Sequence, residues 1–376
     1  MLKVVTIVGT RPEIIRLSRC IAKLDVHAEH TLVHTGQNYD YELNQVFFEE
    51  LGIRVPDRFL NAAGATAAET IGQVIIAADK VLAEVQPDAM LILGDTNSCL
   101  AAIAAKRRKI PIFHMEAGNR CFDFRVPEEI NRRIVDHTSD INLTYSQIAR
   151  QYLLREGLPP DQVICTGSPM REVIEHYSAG FAASTVLDRL GLKVGEYFVV
   201  SSHREENVDA PERLSKVFGV LNALAERHGV PVIVSTHPRT RKRAEAANLQ
   251  THPLVQFHKP FGFLDYIRLQ CDARAVVSDS GTITEESSIL NFPAINLRDV
   301  HERPEGFEEG AVMFTGLSPE RVLDAVDILR TQGRGQQRSL HMVNDYRADN
   351  VSEKVLRTIF SYAPFIRSKV WGMPAP

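Results

Sequence analysis

The sequence predicts an α/β protein made of two Rossmann-like domains that face each other across a cleft. Short aliphatic runs alternate with helical patterns through the first half, and the same alternation begins again near residue 197. Alternation of this kind indicates parallel strands covered by helices. The chain has 376 residues, which is too long for one ordinary hydrophobic core.

The first half contains four strand-like runs and one long amphipathic helix. The runs are Val4–Val8, His30–His34, Met90–Gly94 and Ile110–Met115, and residues Glu69–Val85 repeat apolar side chains at the helical period. These elements predict a parallel, doubly wound sheet.

The second half repeats the pattern. Strands are expected at Tyr197–Ser202, Pro231–Ser235 and Ala273–Val277, with a helix over Glu212–Arg227. We therefore place the first domain at residues 1–170 and the second at 171–350, with a C-terminal helix within about 351–376 packing back on the first.

Composition and charge exclude several classes of protein. The net charge is −4 and no basic stripe carries interleaved aromatic residues, so nucleic acid is not an expected partner. The five cysteines are scattered without a C-x-x-C pair, which fits a reducing compartment and offers no metal-ligand set. No signal peptide and no apolar run long enough for a bilayer is seen. We expect a cytoplasmic protein that does not enter a membrane.

Three acidic residues are the candidates for catalysis. Asp95 and Glu116 each follow a strand-like run, and Glu128 lies in the first turn of a helix that begins near Pro127. The carboxyl ends of parallel strands form the edge where ligands bind. Carboxylates at that edge are suited to general acid and base catalysis.

A second candidate site follows the strand that ends before Ser278. Gly281 permits close approach of a diphosphate to a helix N-terminus, and the Ser280 and Thr282 hydroxyls are further donors. Glu285 and Glu286 could accept hydrogen bonds from ribose hydroxyls. An ordinary capped helix start explains the same residues, and the motif alone does not decide.

Four further polar residues lie where strands end or helices begin. Arg11 occupies a strand-to-helix turn, His203 and His237 each follow a strand of the second half, and Arg303 could reach a phosphate. A structural histidine or a surface ion pair is the alternative at each position.

Taken together, these motifs resemble the non-hydrolysing UDP-N-acetylglucosamine 2-epimerase family over nearly the whole chain. In order they are GTRPE, GDTNS, HMEAG, PEEINR, the His203 strand end, DSGTITEE and ERPE. The resemblance implies two Rossmann-like domains in the GT-B arrangement, UDP bound mostly by the second domain, and a homodimer. It also implies that no metal or nicotinamide cofactor is needed.

The resemblance assigns roles to individual positions. Asp95, Glu116 and Glu128 match the family's catalytic acids, with Arg16 and His203 beside them. The residues that match its UDP ligands are His203, Arg11, Ser280, Gly281 and Glu286, with Phe263 and Tyr266 at the uracil and with His237 and Arg303 as further candidates.

The sequence also departs from the family's general pattern. Arg16 replaces a lysine, Asn38 after the retained Gln37 replaces a histidine, and Gln73 replaces an arginine that holds a second, activating UDP-sugar. The segment 117–127 differs as well. It is most similar to the subgroup that converts UDP-2-acetamido-2,6-dideoxy-L-talose to UDP-N-acetyl-L-fucosamine, a surface-polysaccharide precursor.

The implied reaction expels UDP from carbon 1 while a carboxylate removes the proton of carbon 2, and then adds UDP back while carbon 2 is protonated from the opposite face. A 6-deoxy sugar needs an apolar wall, for which Cys121, Phe122 and Phe124 are candidates; alternatively, they anchor a loop in the core. Other functions left open are a UDP-N-acetylglucosamine 2-epimerase, a GT-B glycosyltransferase, a hydrolysing epimerase, an inactive UDP-sugar sensor, and an α/β protein whose acids only cap helices.

Overall fold

The computed structural model describes residues 1–36, 41–202, 204, 207, 210–235 and 249–374. The chain divides into two compact units. Unit 1 comprises Met1–His176 and Asp345–Pro376, and unit 2 comprises Tyr177–Asn344.

Unit 1 is built on a parallel sheet of seven described strands, in the order β3-β2-β1-β4-β5-β6-β7. The strands are β1 (Lys3–Val8), β2 (Glu29–His34), β3 (Arg58–Phe59), β4 (Ala89–Leu93), β5 (Ile112–Ala117), β6 (Ile141–Thr144) and β7 (Val163–Cys165). The helices are α1 (Arg11–His27), α2 (Tyr41–Glu50), α3 (Ala67–Val85), α4 (Ala102–Arg107), α5 (Pro127–Thr138), α6 (Gln147–Arg155) and α7 (Met170–His176), and 3₁₀ turns cover Asn97–Ala101 and Pro160–Gln162.

The central strands of unit 1 form because their aliphatic side chains are buried on both faces, as helix-covered parallel strands require. Every residue of β4 is buried, for example, and its partner β1 is buried from Val4 onward. Thr66 and Glu69 form a complete capping box at the start of α3. Pro127 opens α5 after an extended Val126.

Unit 2 repeats the design with six described strands, in the order β10-β9-β8-β11-β12-β13, all parallel. The strands are β8 (Phe198–Ser201), β9 (Val232–Ser235), β10 (Val255–His258), β11 (Ala275–Ser278), β12 (Ala294–Asn296) and β13 (Met313–Phe314). The helices are α8 (Ser178–Ala182), α9 (Val186–Leu190), α10 (Pro211–His228), α11 (Phe263–Asp272), α12 (Thr282–Leu290), α13 (Pro304–Glu308) and α14 (Pro319–Leu329).

The chain then returns to unit 1. A short 3₁₀ turn at Asn344–Tyr346 leads into α15 (Val351–Lys369), which contacts α1. The sequence placed the domain limits at 170 and 350, whereas the compact units meet at 176–177 and 344–345. The difference arises because α7 contacts α1 and the Ser168 amide donates to the Asp345 carbonyl at 3.3 Å.

The prediction of two Rossmann-like α/β domains is confirmed. In each sheet the strand order reverses at one point, between β1 and β4 in unit 1 and between β8 and β11 in unit 2. Ligands bind beyond the carboxyl ends of the strands at such a switch point. Among the described residues, no helix combines the length and apolarity required to cross a bilayer.

One strand boundary differs from its prediction in a way that bears on the site. Glu116 was expected just after the strand, but β5 continues to Ala117. The pairing with β6 shifts register between Met115 and Ala117, so Glu116 forms a bulge within the strand. Bulges re-aim a side chain, and alternation in the sequence does not reveal them.

Candidate active site

Asp95 and Glu116 lie together at the switch point of unit 1. Asp95 follows β4 and is 22 % exposed in its side chain, while the Glu116 side chain is 10 % exposed. The Gly94 amide donates to the Met115 carbonyl at 3.0 Å, and a Cβ on Gly94 would lie 3.9 Å from Glu116 Oε2. The two carboxylates therefore belong to one site.

Glu116 adopts a backbone conformation that is unfavourable for a residue with a side chain. Its φ is +66°, in the left-handed region. Such strain persists where the surroundings over-determine it, and it is frequent at functional sites. Here the strain comes with the bulge that aims the carboxylate.

Arg16 is the cation that contacts Glu116. Its Nη1 donates to Glu116 Oε2, and its side chain is 5 % exposed. The guanidinium lies 5.7 Å from the ring centroid of Tyr145, and Asn119 Nδ2 donates to the other Glu116 oxygen at 3.2 Å. Arg16, predicted as a catalytic residue, is thus positioned to hold the carboxylate in one orientation.

Arg132 performs the same task for Asp95 and was not predicted. Its Nε donates to Asp95 Oδ2 at 2.7 Å, and its side chain is 2 % exposed. Nη1 contacts the buried Glu129 at 3.2 Å. Asn131 Nδ2 donates to the Asp95 carbonyl at 2.8 Å, so helix α5 fixes both the backbone and the side chain of Asp95.

Glu128, the third predicted acid, lies half-buried in the first turn of α5. It precedes Arg132 by four residues, which places the two side chains on the same helix face. Glu128 is therefore carried by the same helix as Arg132, which contacts Asp95, and its role as the third acid stays a prediction.

A buried histidine and aspartate lie behind the two acids. His114 Nε2 donates to the Gly94 carbonyl at 2.8 Å, and its Nδ1 lies 3.0 Å from Asp136 Oδ1. Burial by itself lowers the pKa of His114, but the hydrogen bond and charge of Asp136 outweigh it, and the pKa is raised. Burial likewise opposes ionisation of Asp136, yet His114 and Arg120 leave its pKa lowered.

Glu13 is a further buried acid that the sequence did not reveal as part of the site. Its carboxylate accepts from the Gly9 amide and from Thr96 Oγ1, each at 2.5 Å, and from Ser98 Oγ at 3.1 Å. It therefore joins the turn after β1 to the turn that carries Asp95. Burial raises the pKa of Glu13 from 4.5 to about 7, although these hydrogen bonds act to lower it.

Arg11 begins α1 and is half-buried. Its guanidinium lies 5.7 Å from the ring centroid of Phe47. This places a cation at the switch point of unit 1, where the sequence expected it.

The second candidate site lies at the switch point of unit 2. Ser280 Oγ accepts from the Thr282 amide at 3.3 Å and donates to Thr282 Oγ1 at 3.1 Å, just before α12. Gly281 has an ordinary helical φ of −67°, so it is not required by the backbone conformation. Its contribution is the absence of a side chain at the helix N-terminus.

Asp279 fixes this turn and was not predicted. It is fully buried and accepts from Ser202 Oγ at 2.8 Å, the Arg204 amide at 3.1 Å and Asn207 Nδ2 at 3.0 Å. The ends of β8 and β11 are therefore tied together at the switch point.

The two acids inside α12 have protein partners. Gln270 Nε2 donates to Glu286 Oε2 at 2.7 Å, and Glu286 is 7 % exposed. Arg303 Nη2 donates to the fully buried Glu285 at 3.3 Å. Arg303 is thus held against Glu285 within unit 2.

The two aromatic residues predicted for the uracil lie at the start of α11. Phe263 is 4 % exposed and its ring packs edge-on to Tyr177 at a centroid distance of 6.1 Å, while Tyr266 is half-buried against a hydrophobic cluster. Their role in binding uracil stays a prediction.

Four of the positions singled out in the sequence have no described structure, and a fifth lies on a helix surface. His203, His237, Gln37 and Asn38 lie outside the described residues. Gln73 lies on α3 and is exposed.

The segment between Glu116 and Glu128 presents two aromatic residues to solvent. Phe122 and Phe124 are 61 % and 65 % exposed, which argues against the alternative that they anchor the core. Cys121 is half-buried, and its amide donates to Glu129 at 3.1 Å. Arg120 is fully buried and binds Glu156 through Nε and Nη2 at 2.9 and 2.7 Å, so the segment is folded rather than open.

Comparison with known proteins shows which family the chain is similar to. Residues 22–360 match the family described as UDP-N-acetylglucosamine 2-epimerase. A curated relative of that name from Methanocaldococcus jannaschii is 35% identical over 97% of this chain and 100% of its own. A UDP-2,3-diacetamido-2,3-dideoxy-D-glucuronate 2-epimerase from Pseudomonas aeruginosa is 34% identical over 86% of this chain and 91% of its own.

Solved structures give the same result. A UDP-N-acetylglucosamine 2-epimerase from Rickettsia bellii matches with a TM-score of 0.91 and 49% identity, covering 99% of this chain and 100% of its own. The Methanocaldococcus jannaschii enzyme in complex with UDP-GlcNAc and UDP matches with a TM-score of 0.89 and 33% identity, covering 96% of this chain and 100% of its own.

Proposed function

Because the chain belongs to the UDP-N-acetylglucosamine 2-epimerase family, we propose that it inverts carbon 2 of a UDP-2-acetamido sugar without hydrolysing it. UDP leaves carbon 1 as the proton of carbon 2 is removed, giving a 2-acetamidoglycal. UDP then returns to carbon 1 while a proton is delivered to carbon 2 from the opposite face.

The observation that carries the proposal is the pair Asp95 and Glu116, each oriented by its own buried arginine at the switch point of unit 1. Removal and return of a proton on opposite faces needs two positioned acid–base groups. Oriented carboxylates meet that need because their arginines limit their motion. Glu128 supplies a third acid–base group.

We assign the UDP to the residues that match the family's ligands. In unit 2, Ser280, Gly281 and the N-terminus of α12 are suited to the diphosphate and Glu286 to the ribose. The other proposed ligands are Arg11, His203, His237, Phe263, Tyr266 and Arg303.

The reaction is tested by isotope exchange. Turnover in deuterated water should place one deuterium at carbon 2 of the product. An epimerised product without deuterium at that carbon would refute the elimination route.

The acid–base assignment is tested separately. Asp95→Asn, Glu116→Gln and Glu128→Gln should each keep UDP affinity, measured by calorimetry, and lose most epimerisation. His203→Ala should weaken UDP binding. Full activity in all three acid variants would refute the role of the acids, and unchanged UDP affinity in His203→Ala would remove that residue from the site.

For the sugar we propose UDP-2-acetamido-2,6-dideoxy-L-talose, with UDP-N-acetyl-L-fucosamine as product. The support is the segment that follows Glu116, which is held by Arg120 and Glu129 and presents Phe122 and Phe124 outward. The two rings lie on Tyr152 and Arg133, at centroid distances of 5.2 and 5.3 Å, and exposed aromatic rings in the segment that links Glu116 to Glu128 suit a 6-deoxy sugar, whose carbon 6 is a methyl group.

UDP-N-acetylglucosamine is the second candidate, and the names of the relatives favour it. Nuclear magnetic resonance of parallel reactions with both sugar nucleotides decides between them. Turnover of UDP-N-acetylglucosamine alone would refute the L-talose proposal. Phe122→Ala and Phe124→Ala should lower kcat/KM for the preferred sugar about 10-fold. Phe365→Ala, at an aromatic residue of α15 that is 48 % exposed, is the control.

The same reactions separate the remaining alternatives. A glycosyltransferase would need an acceptor, a hydrolysing epimerase would release free UDP and sugar, and a sensor would bind without turnover. We expect epimerisation without acceptor, without net UDP release and in the presence of a chelator. The homodimer and the cytoplasmic location stay predictions from the sequence.

A further inference from the structure

Helix α5 presents three ionisable side chains at intervals of four residues. They are Glu128, Arg132 and Asp136, and this spacing aligns them on one face. Arg132 contacts Asp95 directly, as described above. Asp136 lies one turn further along and is 1 % exposed, so it belongs to the interior behind the acids.

Asp136 holds the backbone that follows Glu116. Its two carboxylate oxygens lie 3.3 and 3.2 Å from the Gly118 amide, which donates to them. Arg120 Nη1 donates to Asp136 Oδ2 at 2.7 Å and to the Asn119 carbonyl at 2.8 Å. The turn after Glu116 is therefore fastened to α5.

His114 holds the backbone that precedes Asp95. Its Nε2 donates to the Gly94 carbonyl, and the ring is 1 % exposed. The orientation of the ring is set by its other nitrogen, which faces Asp136. The buried pair of His114 and Asp136 therefore contacts both the turn that precedes Asp95 and the turn that follows Glu116.

Three residues of these turns are in left-handed conformations, which the two glycines adopt without strain and Glu116 does not. The φ angles are +76° at Gly94, +66° at Glu116 and +80° at Gly118. A Cβ on Gly118 would lie 2.5 Å from the Ala149 carbonyl oxygen, so only glycine fits there. Without fixed partners, a strained segment of this kind relaxes and moves the carboxylates.

We propose that His114 and Asp136 are positioning residues of the epimerase site, which fix the turns on either side of Asp95 and Glu116. The inference rests on the proposed function. It predicts loss of kcat with little change of KM, because the pair supports the acids that act in the chemical step and is itself buried behind them.

The experiment compares His114→Gln, His114→Phe and Asp136→Asn with the wild type. Asp136→Asn and His114→Phe should lower kcat about 10- to 100-fold and change KM less than about 3-fold. His114→Gln retains a donor for the Gly94 carbonyl and should keep several-fold more kcat than His114→Phe. Hydrogen exchange at the Gly118 amide should be faster in Asp136→Asn.

Asp140→Asn is the matched control. Asp140 is also buried, binds Lys106 at 2.7 Å and accepts from the Ile112 amide at 2.9 Å, so it holds the opposite end of β5. The Asp140→Asn variant should have a lower thermal stability, but it should show neither the loss of kcat nor the faster hydrogen exchange at the Gly118 amide. Equal losses of kcat in Asp140→Asn and Asp136→Asn would reduce the pair to a structural role.

The positioning role and the proposed function fail in different ways. A wild type that turns over neither sugar nucleotide refutes the function and with it the epimerase role of the pair. An active wild type with kcat within about 2-fold in His114→Phe and Asp136→Asn refutes the positioning role alone.

Discussion

Arg132 and Asp95 form a close ion pair in unit 1, with both Nε and Nη2 of the arginine 2.7 Å from Oδ2 of the aspartate. The guanidinium is almost fully buried and also contacts Glu129. Arg16 and Glu116 form the corresponding pair one strand away. Two acid–base candidates are thus presented in fixed orientations by two separate helices.

Arg132→Lys should lower kcat about 10- to 100-fold with little change in UDP affinity. Lysine keeps the charge but cannot reach Asp95 and Glu129 together with a planar fork, so Asp95 loses its fixed orientation. Steady-state kinetics and calorimetry with UDP provide the measurement. The control is Arg133→Lys, because Arg133 is 36 % exposed and contacts Glu129 and Glu156. Wild-type kcat in Arg132→Lys would show that the pair does not support catalysis.

Glu116→Gly should unfold at a higher urea concentration than Glu116→Ala, although both should be inactive. At a φ of +66°, a Cβ costs about 1–2 kcal/mol, of which the greater chain entropy of glycine offsets part. We expect a net difference of about 1 kcal/mol. The chain has one tryptophan, and its position in unit 1 makes fluorescence a probe of that unit.

The matched control for this pair is the exposed Lys80 within helix α3. There Lys80→Gly should be less stable than Lys80→Ala by about 1 kcal/mol, the opposite sign. Glycine less stable than alanine at both positions would contradict the proposed backbone strain.

Asp279→Asn should weaken UDP binding about 10-fold by loosening the turn before α12, since a hydrogen bond to a charged group contributes about 1.5–3 kcal/mol. The residue accepts three hydrogen bonds from residues that follow β8, and an amide cannot accept as strongly. Asp299→Asn is the control, because Asp299 is 58 % exposed and pairs with Arg213 in the same unit. Equal UDP affinity in both variants would separate Asp279 from the site.

The fold was predictable because both halves carry strong local patterns. Buried aliphatic runs such as Val4–Val8 and Ala275–Ser278 can hardly be anything but parallel strands once helical segments alternate with them. The limits of the units depend on contacts between distant segments, such as Ser168 with Asp345, which no local pattern shows.

Candidate site residues could be named from the sequence where they follow a strand or lie at a helix start, as Glu128 does in α5. Asp95 and Ser280 follow strands. Glu116 was expected to follow one, but it lies within β5. Arg132 and His114 reach their partners through side chains that cross between elements, so their roles appear only in three dimensions. The four-residue spacing on α5 was the one local signal for Arg132, and it also fits a surface ion-pair helix.

Glu13 makes the stability of unit 1 sensitive to pH near neutrality. Burial raises its pKa from 4.5 to about 7, so the folded chain holds this proton more tightly than the unfolded chain. The contribution to stability is complete below about pH 4.5 and is lost as the pH rises through 7. Glu13→Gln cannot titrate there. From pH 4.5 to 7 the wild type should therefore lose about 3 kcal/mol of unfolding free energy relative to Glu13→Gln. Urea unfolding followed by tryptophan fluorescence at several pH values measures this, and parallel curves for the two proteins would show that Glu13 does not hold its proton in the folded state.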